Sequence, residues 1–134
     1  MIVFFYGLFM DEDLLHAKGV RPVNLGMGRL QGYALTIGER ASLMPDAEGA
    51  AYGILMEISS TEAAALYGEE SVADYVPERV VVQNKAGQQQ EAICYNLPQE
   101  KLTGGNSAYA AKLLSLAERL DFPAGYLAQI RKFT

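Results

Sequence analysis

The chain is 134 residues long, half of it hydrophobic and a fifth charged, and its 11 Lys and Arg against 16 Asp and Glu leave a formal net charge of −5. That size supports a single domain, roughly two thirds of whose unfolded surface can be buried, and the composition excludes disordered and fibrous chains. The acidic balance argues against a nucleic-acid partner, the one cysteine rules out an internal disulfide and fits a reducing cytoplasm, and no apolar run reaches the ~18 residues of a membrane span.

Ile2-Val3-Phe4-Phe5-Tyr6 is a continuous run of β-branched and aromatic residues, and it reads as a buried strand broken by Gly7. Met1 to Met10 is apolar but has no basic leader and runs directly into Asp11-Glu12-Asp13, so it does not read as a targeting segment. Those acids suit the first turn of a helix that carries Leu14, Leu15 and Ala17 and ends at Gly19, with Pro22 beyond. Residues 23–38 read as extended, and Gly26, Gly28 and Gly32 permit bulges and sharp bends as in a small barrel. Ser42-Leu43-Met44 is a short strand or loop before the turn chemistry of Pro45-Asp46-Ala47-Glu48-Gly49. Ala51 to Ile58 is a further strand. Ser60-Thr61-Glu62 opens a helix to about Tyr67, with Ser60 as its cap.

Residues 68–75 are irregular. Glu78 to Gln83 and Glu91 to Tyr95 pair as a hairpin over Asn84-Lys85-Ala86-Gly87. After Gly104-Gly105-Asn106, the spacing of Tyr109, Leu113, Leu116, Ala117 and Leu120 makes one face of a helix. Pro123 starts a final helix from which Tyr126, Leu127, Ile130 and Phe133 can bury. Strands early and helices late predict an α+β fold.

Most chemistry-bearing patterns fail on inspection. Gly26-Met27-Gly28-Arg29-Leu30-Gln31-Gly32 has its third glycine one residue late for a dinucleotide loop and opens no helix. Cys94 lies mid-strand as a small core residue with no base beside it. The single histidine, His16, sits late in the first helix, where its charge suits the helix terminus. Asp11-Glu12-Asp13 is explained by first-turn preference, and no metal site is expected. Two places remain. The turn Tyr6-Gly7-Leu8-Phe9-Met10 follows a buried strand and precedes a helix, so several backbone amides converge on a concavity that suits a carboxylate or phosphate. Glu69-Glu70 is an acidic pair between a helix and the next strand.

Taken together, Tyr6-Gly7, Gly32-Tyr33-Ala34-Leu35, Ala51-Tyr52-Gly53-Ile54-Leu55, Leu66-Tyr67-Gly68-Glu69-Glu70 and Tyr75 before Val80-Val81-Val82 follow a definite order and spacing. In that order and spacing the chain resembles the γ-glutamylcyclotransferase-like family, which includes the AIG2-like proteins, over roughly residues 2–96. The resemblance implies a small mixed β-barrel with flanking helices in one domain, with a core over about 1–96. A helical extension over about 105–134 is similar to one in a bacterial branch of the family. It also implies cyclisation of a small γ-glutamyl amine or amide to 5-oxoproline, with release of the amine or amino acid and no cofactor, in a monomer or homodimer. The family glutamate falls on Glu70, with Glu69 one residue away as the other candidate. Tyr6, Gly7, Leu8, Phe9 and Met10 fall on the segment that holds the substrate's carboxylate. Tyr75 and Tyr33 either wall the pocket or pack in the core.

The chemistry asks little beyond geometry and one proton carrier. Nucleophile and electrophile are tethered in the same molecule, and well-oriented intramolecular reactions gain up to ~7–11 kcal/mol over bimolecular ones. The α-amine, titrating near ~7.8, must lose a proton and the leaving nitrogen must gain one, and a single carboxyl serves both steps. A free carboxyl near ~4.3 is roughly 3.5 units less basic, about 4.8 kcal/mol, so a glutamate in this role needs shelter from water or neighbouring like charge. Leu8 stands where many members have Ser or Thr, Tyr67 where they have an acid, and Pro77 where they often have Arg. These departures leave open a non-catalytic module of the same fold that binds a small carboxylate.

Overall fold

The computed structural model describes residues 1–134. Five strands, β1 (Ile2–Phe5), β2 (Val23–Ile37), β3 (Ala41–Glu57), β4 (Val76–Asn84) and β5 (Gln89–Asn96), close into a barrel in the order β1-β3-β2-β4-β5. All neighbours run antiparallel except β1 and β5, whose parallel seam is the single pair Val3↔Ile93. Four helices flank it: α1 (Glu12–Ala17), α2 (Ser60–Leu66), α3 (Ser107–Arg119) and α4 (Ala124–Arg131). The fold is α+β, as the element pattern predicts. No helix is long and apolar enough to cross a membrane.

β1 is covered on both faces, with Val3, Phe4 and Phe5 all at 2% exposure or less. This is why it reads as an unbroken apolar run rather than an alternating one. β2 and β3 form the long hairpin of the molecule, and the residues 45–49 with turn chemistry do not end a strand as expected. Gln31 pairs with Ala50 and Tyr33 with Pro45, so residues 46–49 bulge out of β3 opposite Gly32 alone. The Glu48 amide donates to the Asp46 carboxylate at 3.0 Å within that bulge, and Gly32, at φ +90°, supplies the bend on the facing strand. Pairing resumes on both sides, which is how turn-type residues come to lie inside a strand.

The cap of α2 is Ser59 rather than Ser60. Glu62 lies three residues after Ser59, and the two close a reciprocal capping box at 3.0 and 2.9 Å. Asp11 caps α1, accepting from the Asp13 amide. In α3 the buried positions are Ala110, Leu113, Leu116 and Ala117, and α4 adds Tyr126 and Ile130. Asn106 caps α3 by accepting from the Tyr109 amide at 2.9 Å and donates to the Glu39 carbonyl at 3.2 Å, which ties α3 to the β2–β3 connection.

Gly53 lies where β3 passes β1. A Cβ there would strike the Phe5 carbonyl oxygen and stand 2.9 Å from the Phe4 ring. Gly53→Ala is expected to destabilise the fold by roughly 1–3 kcal/mol. Gly125→Ala, in α4 with open space around it, should hold or raise stability. Melting temperatures of the two variants check this, and equal behaviour would refute the close approach.

The core also buries phenols. Tyr6 donates to the Tyr95 carbonyl at 2.7 Å, and burial holds its hydroxyl well above the usual 10.0. Burial likewise raises Tyr126, whose hydroxyl has no partner at bonding geometry and is only partly offset by the nearby Tyr52 backbone. In the unfolded chain these groups ionise near 10.0, so the unfolded state sheds protons first as pH rises. Their stabilising contribution is complete below that value and is lost as pH climbs through the raised values. Denaturant unfolding should therefore give a flat stability between about pH 7 and 9 and a steep fall above about 10. Full phenolate absorbance at about pH 10 in a still-folded chain would contradict it.

Candidate functional site

The end of β1 builds the site. After Phe5 the chain leaves the barrel through Tyr6 and Gly7 and makes one 3-10 turn at Leu8–Met10. The turn's own hydrogen bonds run from the Met10 amide to the Gly7 carbonyl and from the Asp11 amide to the Leu8 carbonyl, each 3.0 Å. The amides of Gly7, Leu8 and Phe9 are not used by the turn, as at any helix start. Met10 is buried and its amide is engaged, so the donors the turn leaves unused belong to residues 7–9.

A cavity of about 270 Å³ opens beside these amides, lined mostly by aromatic and apolar side chains. That is at the small end of ligand sites. Tyr67 forms the centre of its wall, stacked on Tyr95 at 3.7 Å and 11° and meeting Phe9 edge-on at 5.8 Å. Tyr75 lies 6.3 Å from Tyr67 and donates to the Ala41 carbonyl at 2.5 Å. From α3, Tyr109 reaches over the turn, and its hydroxyl lies only 2.8 Å from where a Gly7 Cβ would be. A Cβ at position 7 would force the Tyr109 hydroxyl to shift. Burial pushes the Tyr6, Tyr67, Tyr75 and Tyr95 hydroxyls upward. Tyr109 rises to about 12, with the adjacent Leu8 amide acting in the opposite sense. At neutral pH all are uncharged donors.

Three charged residues line the cavity: Lys18, Arg40 and Glu69. The Lys18 ammonium bonds both carboxylate oxygens of Glu69, at 2.8 and 2.9 Å, with side chains 30% and 41% exposed. Arg40 donates to the Ser71 carbonyl and to Asp74, each at 3.3 Å, and its guanidinium carbon sits 5.9 Å over the Tyr75 ring.

Of the residues singled out from sequence, Tyr6, Gly7, Leu8, Phe9, Tyr75 and Glu69 line this one cavity. Glu70 opens the next 3-10 turn, is exposed, and is not among the lining residues. Tyr33 is not among them either; its hydroxyl meets Glu78 at 3.3 Å. Cys94 is buried in the barrel, and burial raises its thiol to about 12, which keeps it an unreactive core group. Sequence reasoning did not single out Lys18, Arg40 or Tyr109. Tyr109 occupied a core-like position in an apolar helix face, and the one available signal was the Asn106 cap that orients its helix.

The profile of the family described as gamma-glutamyl cyclotransferase, AIG2-like, matches residues 3–112, which runs through the barrel and into α3. The chain has no match among curated protein sequences. In structure it is similar to a gamma-glutamyl cyclotransferase, with a TM-score of 0.81, 15% identity, and coverage of 100% of this chain and 88% of the other. It is also similar to an uncharacterised protein from Homo sapiens, at 0.82 and 16% identity over 99% and 87%. A third likeness is to YkqA from Bacillus subtilis, at 0.81 and 21% identity over 98% of this chain and 53% of that one. At these identities the likenesses establish the fold, and the profile match over most of the chain establishes kinship. The chain belongs to the gamma-glutamyl cyclotransferase, AIG2-like family.

Proposed function

We propose that the protein cyclises a small γ-glutamyl compound to 5-oxoproline and releases the attached amine or amino acid, with Glu69 as the acid and base. The observation that carries this reading is that Glu69 and the turn residues Gly7, Leu8 and Phe9 line the same aromatic cavity. In this reading the turn amides of residues 7–9 hold the substrate's α-carboxylate through charge-assisted hydrogen bonds, and a cavity of about 270 Å³ suits a folded, dipeptide-scale molecule. The α-ammonium gives a proton to Glu69. The freed nitrogen attacks the γ-carbonyl and a carbon–nitrogen bond closes the ring; Glu69 returns the first proton to the leaving nitrogen as the original amide bond breaks, then takes the second proton from the ring nitrogen and passes it to the released amine, which departs as an ammonium. A reducing cytoplasm is the compartment that the single, buried Cys94 fits.

A second reading follows from the engagement of both Glu69 oxygens by Lys18: the module holds a small carboxylate without turnover. The two separate in one experiment. Release of 5-oxoproline from a panel of γ-glutamyl compounds is measured with Glu69→Gln and Glu70→Gln variants beside the unaltered chain. Cyclisation should fall about 10²–10⁴-fold in Glu69→Gln and stay close to the unaltered rate in Glu70→Gln, with melting temperatures little changed because an exposed ion pair contributes about 1 kcal/mol or less. The reverse pattern assigns the role to Glu70. Thermal stabilisation by the compounds with no product from any of them favours the binding module.

A further inference from the structure

Resting on the cyclisation reading, we propose that Lys18 is a positioning residue: its ammonium holds the Glu69 carboxylate against the cavity and so decides which of two adjacent glutamates serves the site. Glu69 is the extended residue, at φ −66° and ψ 142°, that precedes the 3-10 turn Glu70–Val72, and Glu70 is the first residue of that turn. Both side chains are long and flexible, yet Glu69 lines the cavity and Glu70 does not. Their contacts differ in one respect. Both Glu69 oxygens accept from the Lys18 ammonium, at 2.8 and 2.9 Å, whereas Glu70 is in neither of the two ion pairs of the chain.

Lys18 is itself placed by the way α1 ends. The Gly19 amide donates to the His16 carbonyl at 3.0 Å and the Val20 amide to the Leu15 carbonyl at 2.9 Å, with Gly19 at φ +82°. These are the two bonds of a Schellman cap, and Lys18 is the last residue before the reversal. Leu15 and Val20 are 0% and 2% exposed, so the cap is pinned to the core. The next residue, Arg21, donates its amide to the Glu62 carboxylate at 2.7 Å, and Glu62 also closes the capping box of α2. The end of α1 and the start of α2 thus share one frame, with Lys18 on one side of it and Glu69 beyond α2 on the other. The pair is compatible with proton transfer. A carboxylate offers about four lone-pair sites; Lys18 takes one on each oxygen and leaves the others to the substrate's α-ammonium. A partly exposed pair adds little to stability, but a small bias is enough to choose among the rotamers of a glutamate.

The experiment measures kcat and KM separately, on the γ-glutamyl compound that the unaltered chain cyclises fastest, for Lys18→Met, Lys18→Arg and Lys132→Met. Lys132 lies at the end of α4, outside the cavity lining, so its replacement removes the same charge elsewhere. Lys18→Met should lower kcat about three- to tenfold, the scale of the rotamer freedom that Glu69 regains, with KM within about twofold. Its melting temperature should hold. Lys18→Arg should restore most of kcat, and Lys132→Met should leave it unaltered. In a Glu69→Gln background Lys18→Met should cost nothing more, since Lys18 acts only through that carboxylate. An unchanged kcat in Lys18→Met, a change confined to KM, or an equal loss in Lys132→Met or in the Glu69→Gln background overturns the assignment while cyclisation stands. If the unaltered chain forms no 5-oxoproline from any compound of the panel, the cyclisation reading fails. Nitrogen-15 spectra of the lysine ammonium groups then decide the contact on their own. A Lys18 signal protected from exchange with water in the unaltered chain and in Glu70→Gln, and lost in Glu69→Gln, upholds the hold on Glu69; a signal that is the same in both variants overturns it.

Discussion

A strand buried on both faces must satisfy its backbone polar groups through its neighbours, and where β1 ends at Phe5 that pairing stops. The main chain cannot leave such a position without exposing donors at the mouth of an apolar barrel. The Leu8–Met10 turn uses two amides, those of Met10 and Asp11, and leaves those of residues 7–9 directed outside the turn. Everything at the site is arranged around that residue of unmet hydrogen bonding. α3 brings the Tyr109 hydroxyl over Gly7, α1 brings Lys18, and the segment after α2 brings Glu69.

The charges at the mouth are balanced but not locked. The Lys18 and Glu69 side chains are 30% and 41% exposed, and a pair of this kind contributes little to stability because water and salt screen it. Arg40 is held by two bonds near the long end of the hydrogen-bond range and by the face of Tyr75. Such contacts keep long side chains in place at the entrance while costing little to exchange for contacts with a ligand. The aromatic wall is the opposite case. Tyr67, Tyr95, Tyr75 and Phe9 brace one another ring against ring, so the cavity's shape is set by packing and its entrance by exchangeable charge.

What the sequence made legible follows from where regular periodicity operates. β1, the β4–β5 hairpin and the buried face of α3 were readable because a run, a turn signal or a helical spacing marks each. The turn residues at 45–49 were legible as chemistry, but their setting was not, since only the facing Gly32 and the continued pairing make them a bulge. Ser59 and Ser60 are both acceptable caps, and the position of Glu62 decides between them. The Glu69-Glu70 pair was visible, yet residues 68–75 have no period that says which side chain turns to the cavity. Lys18 and Arg40 carried no local signal at all, because they reach the mouth from two different elements that only the closed barrel brings together.

The topology of β1 also bears on how the chain is made. Its antiparallel partner β3 begins at residue 41, and its parallel partner across the seam, Ile93, lies about 90 positions downstream. At roughly 5–20 residues per second on the ribosome, the Ile-Val-Phe-Phe segment waits about 5–20 s between its own synthesis and that of the residue that closes the barrel. Throughout that interval a short, uncharged, strongly β-forming stretch is available to any other unpaired strand. The acids at 11–13 immediately behind it place like charge next to the vulnerable stretch on every nascent copy, and so discourage two of them from meeting.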